Sequence, residues 1–166
     1  MFEELINQLN EDLSYRPLTS SLSDADMVEI ETDLGDEEHA DPADEIVQHL
    51  YLARDGKITF RSFTRGKGRG ARGVGRYETC TVPAQTVQEI RQLLDMFLYM
   101  QSGENWSGRD ADPRWVIRAA RRGEGTEMTA GKPEGAFAGG MDLSYLIRQR
   151  IPIPDLFLFD GRKVQG

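Results

Sequence analysis

A basic, glycine-rich segment carries the residues whose chemistry is easiest to define. The stretch from Thr64 to Arg76 reads TRGKGRGARGVGR, with four arginines, one lysine and five glycines. Guanidinium groups donate paired hydrogen bonds that match phosphate oxygens, and glycine leaves main-chain N–H groups open to an anion. The segment predicts a phosphate-binding loop with these cationic residues: Arg61 on the preceding strand, then Arg65, Lys67, Arg69, Arg72 and Arg76.

The ligand that this loop suggests is nucleic acid or a nucleoprotein. The formal net charge of the chain is −8, so the field of the whole molecule repels polyanions and only a local patch could bind one. Phe63 and Tyr77 are the aromatic residues at the edges of the segment, which favours phosphate contacts over sequence-specific base readout. The first hypothesis is therefore a small non-catalytic binding protein. The alternative is a solvent-exposed loop that binds no ligand.

Six residues of this segment also carry a family resemblance. Arg65 to Gly70 read RGKGRG, which resembles the Arg/Gln-x-x-Gly-x-Gly/Ala signature of a family of N-acetyltransferases. In that family the signature binds the pyrophosphate of acetyl-coenzyme A, follows a strand and begins an amphipathic helix. The resemblance implies an acyl-coenzyme A site here and adds the hypothesis of an acetyltransferase-like protein.

A second segment concentrates the opposite charge. Between Pro17 and Arg54 the chain has no lysine or arginine but has eleven carboxylates. They could mimic the phosphates of a nucleic acid and block a nucleic-acid-binding protein such as a defence nuclease, fold back onto the basic loop, or only keep the chain soluble. The calcium-loop pattern does not occur, so we expect no metal site. The residues that an acidic inhibitor would use are Asp33, Asp36, Glu37, Glu38, Asp41, Asp44 and Glu45.

Catalytic signatures are not found in the sequence. The two histidines are His39, in the acidic segment, and His49, in a predicted strand, and Cys80 is the only cysteine. No nucleophile elbow, P-loop or Cys/His zinc spacing occurs. We expect no catalytic residues and no cofactor. The sequence leaves enzymatic activity uncertain and favours a protein without it.

Length and composition favour one globular domain over residues 1–166. A single cysteine fits a reducing compartment, and the acidic N-terminus lacks the features of a signal peptide. No stretch approaches the roughly twenty apolar residues that cross a bilayer. We therefore expect a cytoplasmic protein that does not contact membranes, in an oligomeric state that the sequence leaves open.

Local patterns predict the elements that must position these segments. Asp55-Gly56 between two β-branched and aromatic runs predicts a β-hairpin at about 46–65 with a two-residue turn. Apolar residues at helical spacing after Pro83 predict a central helix at about 83–102, packed on one face of the sheet. In MVEIET, Val28 and Ile30 alternate with acids, which predicts a strand with one buried face.

The remaining patterns complete the predicted fold. They indicate an N-terminal helix in MFEELINQLNEDL, a strand in YETCTV, a strand in RWVIRAARR, a short helix capped by Asp142, and a buried strand in DLFLFDG. Loops are expected at about 31–45 (acidic), 64–76 (Arg/Gly) and 123–140 (Gly-rich). The predicted class is α+β with a mainly antiparallel sheet.

Overall fold

The computed structural model is an α+β domain in which two helices pack on a large sheet. It describes residues 15–17, 22–35, 41–67, 72–100, 113–121 and 126–161. The predicted N-terminal helix lies outside these residues, as do His39 and Trp106. The predicted fold class is confirmed.

A short first strand, β1, spans Tyr15–Pro17 and is followed by a 3-10 turn at Leu22–Asp24. The long strands are β2 (Met27–Asp33), β3 (Glu45–Ala53), β4 (Lys57–Thr64), β5 (Gly73–Thr81), β6 (Arg114–Ala120) and β7 (Thr126–Gly131). The six long strands pair antiparallel in the order β7-β6-β2-β3-β4-β5, and β1 adds to β7 in parallel. The predicted strands in MVEIET and RWVIRAARR correspond to β2 and β6.

Strands β3 and β4 form the predicted hairpin, but its turn differs in detail. Ala53 and Lys57 end the two strands, so the connection has three residues rather than two. Gly56 has a φ of 103° and its N–H donates to the Ala53 carbonyl oxygen, while Asp55 does not have a positive φ. A three-residue turn needs a positive φ at one glycine only, which Gly56 supplies.

The central helix, α1, spans Ala84–Met100 and confirms the helix predicted at about 83–102. Val87, Ile90, Leu94 and Phe97 lie on one side of α1 and are fully buried against Val28, Ile30, Leu50, Leu52, Ile58 and Phe60 of the sheet. These residues define what we call the helix face of the sheet. Arg91 is buried on the same side of α1 and donates from Nη1 to the Ala25 carbonyl oxygen at 2.5 Å.

The glycine-rich segment predicted as a loop at about 123–140 is more regular than its composition indicates. It contains β7 and most of a small hairpin, β8 (Phe137–Ala138) and β9 (Met141–Asp142), whose turn uses Gly139 and Gly140 at positive φ. Gly131 lets β7 lie close to Trp115, since an added Cβ would stand 2.6 Å from the indole ring. Glycine here serves close packing.

The short helix α2 spans Leu143–Arg150 and begins at its predicted cap, where the Asp142 carboxylate accepts from the N–H groups of Ser144 and Tyr145. The strand predicted in DLFLFDG is wrong, although Leu156 to Phe159 are buried. Asp155 and Leu158 have positive φ, which breaks strand geometry, and Arg148 binds the Leu156 and Phe157 carbonyl oxygens in place of a neighbouring strand. Neither α1 nor α2 is long and apolar enough to cross a membrane.

Candidate functional site

The Arg/Gly segment forms a shorter connection between β4 and β5 than the predicted 64–76. Thr64 ends β4 and Gly73 begins β5, so Gly73 to Arg76 belong to a strand. The helix that the acetyltransferase resemblance implies after Gly70 is replaced by this strand. Lys67 is exposed, Arg65 and Arg72 are half-buried, and Arg69 lies outside the described residues.

Several glycines of the segment have a structural explanation. Gly66 has a φ of 69°, which favours glycine in the turn after β4. Gly73 and Gly75 pass close to the side chains of Thr64 and Ser62, and a Cβ on Gly75 would lie 3.0 Å from the Ser62 carbonyl oxygen. The glycines at these three positions therefore allow β5 to pair with β4, rather than serving only to approach a ligand.

The acidic and basic segments touch, which was one of the arrangements left open by the sequence. The Arg65 N–H donates to the Asp44 carbonyl oxygen at 2.8 Å, and the Gly66 N–H donates to the Pro42 carbonyl oxygen at 3.0 Å. These main-chain hydrogen bonds hold the chain before β3 beside the start of the β4–β5 connection. The two segments thus lie at one end of the sheet instead of on opposite sides of the molecule.

Arg76 links the two segments through its side chain. Its Nη2 and Nε donate to the two Glu45 carboxylate oxygens at 2.8 Å and 3.0 Å, and its Nη1 donates to the Glu78 carboxylate and to the Pro154 carbonyl oxygen. The guanidinium carbon stands 4.7 Å from the centre of the Phe60 ring. Arg76 is therefore partly buried and bonded to other groups of the protein on the helix face, whereas Lys67 is exposed.

The Glu45 carboxylate also accepts hydrogen bonds from two other side chains. Ser62 donates to its carboxylate at 2.7 Å, and Gln48 donates at 2.5 Å. Burial alone would raise the pKa of Glu45, but the hydrogen bonds from Arg76, Ser62 and Gln48 outweigh it and lower the pKa below its ordinary value. The carboxylate stays charged and helps to hold β3, β4 and β5 together.

The other described residues of the predicted acidic set do not form one cluster. Asp33 lies 4.0 Å from Arg114 and accepts from the Gly35 N–H, and Asp41 is exposed and accepts from the Ala43 N–H. Asp44 is half-buried, while Asp36, Glu37 and Glu38 lie outside the described residues. Among the described residues of this set, Asp41 is the exposed one.

The sheet face opposite the helix face carries a charge network that the sequence did not reveal. Glu29 and Glu31 of β2 are buried there, although alternation predicted an outward acidic side. Arg118 Nη1 lies 3.2 Å from Glu29 and 3.0 Å from Glu31, and His49 Nδ1 lies 2.8 Å from Glu29. Arg114 adds a contact of 3.6 Å to Glu31. The sequence shows an acidic strand and the arginines of RWVIRAARR, but only the structure shows that these two strands pair.

Three of these side chains could in principle ligate a metal ion, because Glu29, Glu31 and His49 bring one ligand atom each within 4.8 Å of one another. Arg118 bridges the same two carboxylates and supplies the compensating positive charge. Burial would raise the pKa of Glu31, but Arg118, His49 and Arg114 together lower it. The arrangement is best described as a closed ionic network that stabilises the middle of the sheet.

The outer part of this opposite face differs from its centre. In the middle, Tyr51 is 1 % exposed; burial, reinforced by the nearby Glu29 charge, raises its pKa to about 12. At β5, Tyr77 is 70 % exposed and Val74 is 86 % exposed. The pairing register sets Arg61 opposite Tyr77 and Phe63 opposite Val74. We call these four residues of β4 and β5 the outer face; it adjoins the basic connection.

Arg61, predicted as a phosphate contact, points onto this same face. Its Nη2 donates to the Tyr51 hydroxyl at 3.0 Å and its guanidinium lies 5.7 Å from that ring. The structure thus brings Arg65, Lys67 and Arg72 to the connection end of the β4–β5 pair. Arg61 lies within β4 and is bonded to Tyr51, and Arg76 lies on the other face.

Comparison of the chain with protein-family models and with curated proteins yields no match.

Proposed function

We propose that the protein is a non-catalytic nucleic-acid-binding protein whose β4–β5 connection contacts the phosphate backbone. The observation that carries this proposal is the position of the cationic side chains: Lys67 is exposed, and Arg65 and Arg72 flank it, in a stretch from Arg61 to Arg76 that has no acidic residue. Arginine and lysine side chains spread along a connection suit a string of phosphates better than a single anion.

Two buried donors support the proposal. The Nε atoms of Arg61 and Arg65 have no hydrogen-bond partner within the described part of the chain. Buried donors are nearly always paired, so these two guanidinium nitrogens can anchor a ligand oxygen, directly or through a bridging water. The acidic clusters support a binding role over catalysis, because Glu29, Glu31 and Glu45 are each paired with arginine.

The test is fluorescence anisotropy of labelled single-stranded DNA, duplex DNA and RNA against the purified protein across a salt series. We expect the logarithm of the binding constant to fall linearly with the logarithm of the salt concentration. Lys67→Ala should reduce the slope by about 0.7–0.9, the value of one phosphate contact. Lys132→Ala is the matched control, since it removes one exposed lysine from outside this region.

The combined variant Arg65→Ala, Arg69→Ala and Arg72→Ala should abolish binding. The main-chain hydrogen bond of Arg65 to Asp44 does not depend on the side chain, so this variant should keep its fold, which circular dichroism can verify. No binding by the wild-type protein at low salt would refute the proposal. The acidic-inhibitor hypothesis would then be examined by neutralising Asp41 and Asp44.

A further inference from the structure

The outer face of β4 and β5 has the features of a platform for unpaired bases. Side chains that alternate along a strand share a face, and the register places Arg61 beside Tyr77 and Phe63 beside Val74. Tyr77 and Val74 rank among the most exposed large apolar side chains of the described residues. An exposed aromatic ring on a sheet, next to cationic side chains, offers a π-face to a ligand that also carries phosphate.

The exposure of Tyr77 is not a general property of this sheet face. Tyr51, two strands away on the same face, is buried and bonded to Arg61. The ionic network of Glu29, Glu31 and Arg118 closes the middle of the face. The open area is therefore the part of this face along β5, which begins at the β4–β5 connection, where Lys67 and Arg72 lie.

We propose that the ligand is single-stranded nucleic acid and that Tyr77 stacks on one of its bases, with Phe63 as its neighbour on the platform. This inference rests on the proposed function, in which the connection binds phosphate. Bases of a duplex are stacked inside the helix and cannot lie on a protein ring, whereas unpaired bases can. The juxtaposition of phosphate-binding side chains with an exposed ring therefore selects the single strand.

The dimensions of β5 fit a short oligonucleotide. Arg72 precedes the strand and Tyr77 lies five residues further on, which at about 3.3 Å per residue is about 17 Å. A stacked strand advances about 3.4 Å per nucleotide, so this distance corresponds to roughly five nucleotides. Phosphate contacts at the connection and stacking at Tyr77 can therefore involve the same short ligand.

The experiment compares Tyr77→Ala, Tyr77→Phe and the control Thr79→Ala, which changes an exposed residue on the same side of β5. The probes are a labelled 12-nucleotide oligothymidine and a 12-base-pair duplex, measured by anisotropy at several salt concentrations. We expect Tyr77→Ala to weaken oligothymidine binding by about 5-fold to 150-fold, the range found for loss of one stacked base. Tyr77→Phe keeps the ring and should bind like the wild type.

The salt slope separates this inference from the function on which it rests. Tyr77→Ala should leave the slope unchanged, because it removes no phosphate contact, whereas Lys67→Ala should reduce it. If the wild type binds no nucleic acid, both proposals fail. If it binds duplex and single strand equally and Tyr77→Ala has no effect, the stacking inference alone is overturned.

A second copy of the chain is the competing occupant of the outer face, since β5 is the last strand of the described sheet. Sedimentation velocity over a concentration series tests this. A dimer that Tyr77→Ala dissociates and that excludes oligothymidine would overturn the stacking inference. A monomer whose melting temperature is unaffected by Tyr77→Ala, and which loses single-strand binding in that variant, would support it.

Discussion

Arg76 best tests which basic residues of the segment stabilise the fold and which bind a ligand. It belongs to the segment that the sequence assigns to phosphate binding, yet its guanidinium is engaged by Glu45, Glu78 and the Pro154 carbonyl oxygen. We predict that Arg76→Ala destabilises the protein and leaves the salt slope of nucleic-acid binding unchanged. Lys67→Ala should leave the stability unchanged and reduce the salt slope.

The magnitude follows from the burial of the ion pair. Breaking a buried pair by removing one partner costs about 3–5 kcal/mol, because the remaining charge loses its compensation. The Arg76 side chain is 29 % exposed and that of Glu45 is 12 % exposed, and Ser62 and Gln48 still donate to Glu45 in the variant. We therefore expect a smaller loss of about 2–3 kcal/mol, at or below the lower limit of that range. This corresponds to a decrease in melting temperature of roughly 4–12 °C for a chain of this length.

Urea denaturation followed by circular dichroism measures this loss, with the midpoint shifted and the slope against urea concentration unchanged. A double-mutant cycle with Glu45→Gln should give a coupling energy of about 1–2 kcal/mol. Arg54→Ala is the matched control, because Arg54 lies in the β3–β4 turn with its side chain 57 % exposed. Its contacts are a long ion pair of 3.7 Å with Asp26 and a hydrogen bond of 3.3 Å to the Asp24 carbonyl oxygen. Wild-type stability in Arg76→Ala, together with a reduced salt slope of binding, would refute this assignment.

Two further predictions concern stability. The pKa values of Glu31 and Glu45 lie below their ordinary value of 4.5 in the folded protein, so the unfolded chain takes up protons first as the pH falls. The stability that these two carboxylates contribute should be present above about pH 4.5 and be lost as the pH falls further. Glu45→Gln should therefore make the melting temperature depend less steeply on pH in the acid range. A curve unchanged by this variant would contradict this explanation. Gly131→Ala should destabilise the protein by about 1–3 kcal/mol, because the new Cβ would clash with the buried Trp115 ring, and urea unfolding measures this loss. Gly139→Ala is the control for steric clash, because the added Cβ has open space there. The positive φ of Gly139 adds a separate backbone cost to that variant.

The sequence correctly predicted the elements that are determined by residues close together in the chain. The hairpin follows from a turn between two apolar runs, and α1 follows from apolar residues at helical spacing after Pro83. The burial of Glu29 and Glu31 could not be predicted in this way. Alternation separates the two sides of a strand, but only the pairing of β2 with β6 brings Arg118 to these carboxylates.

Two errors arose because partners distant in sequence satisfy the main chain. Gly73 and Gly75 disfavour a strand by composition, yet β5 forms there because they fit against Thr64 and Ser62 of β4. The C-terminal apolar run was predicted as a strand because burial was evident and length was suitable. Its main-chain groups are bonded instead by the side chains of Gln48 and Arg148, which no local pattern reveals.

The charge arrangement explains how an acidic protein could discriminate among polyanions. With a net charge of −8 and an acidic segment bonded to the basic connection, a ligand that offers only phosphate meets repulsion as well as attraction. At about 0.1 M salt the screening length is about 10 Å, so the phosphate contacts that we propose for Lys67 would persist while the distant negative charges are largely screened. The stacking that we propose for Tyr77 does not depend on charge, so under this proposal it is the interaction that would separate a single strand from a duplex.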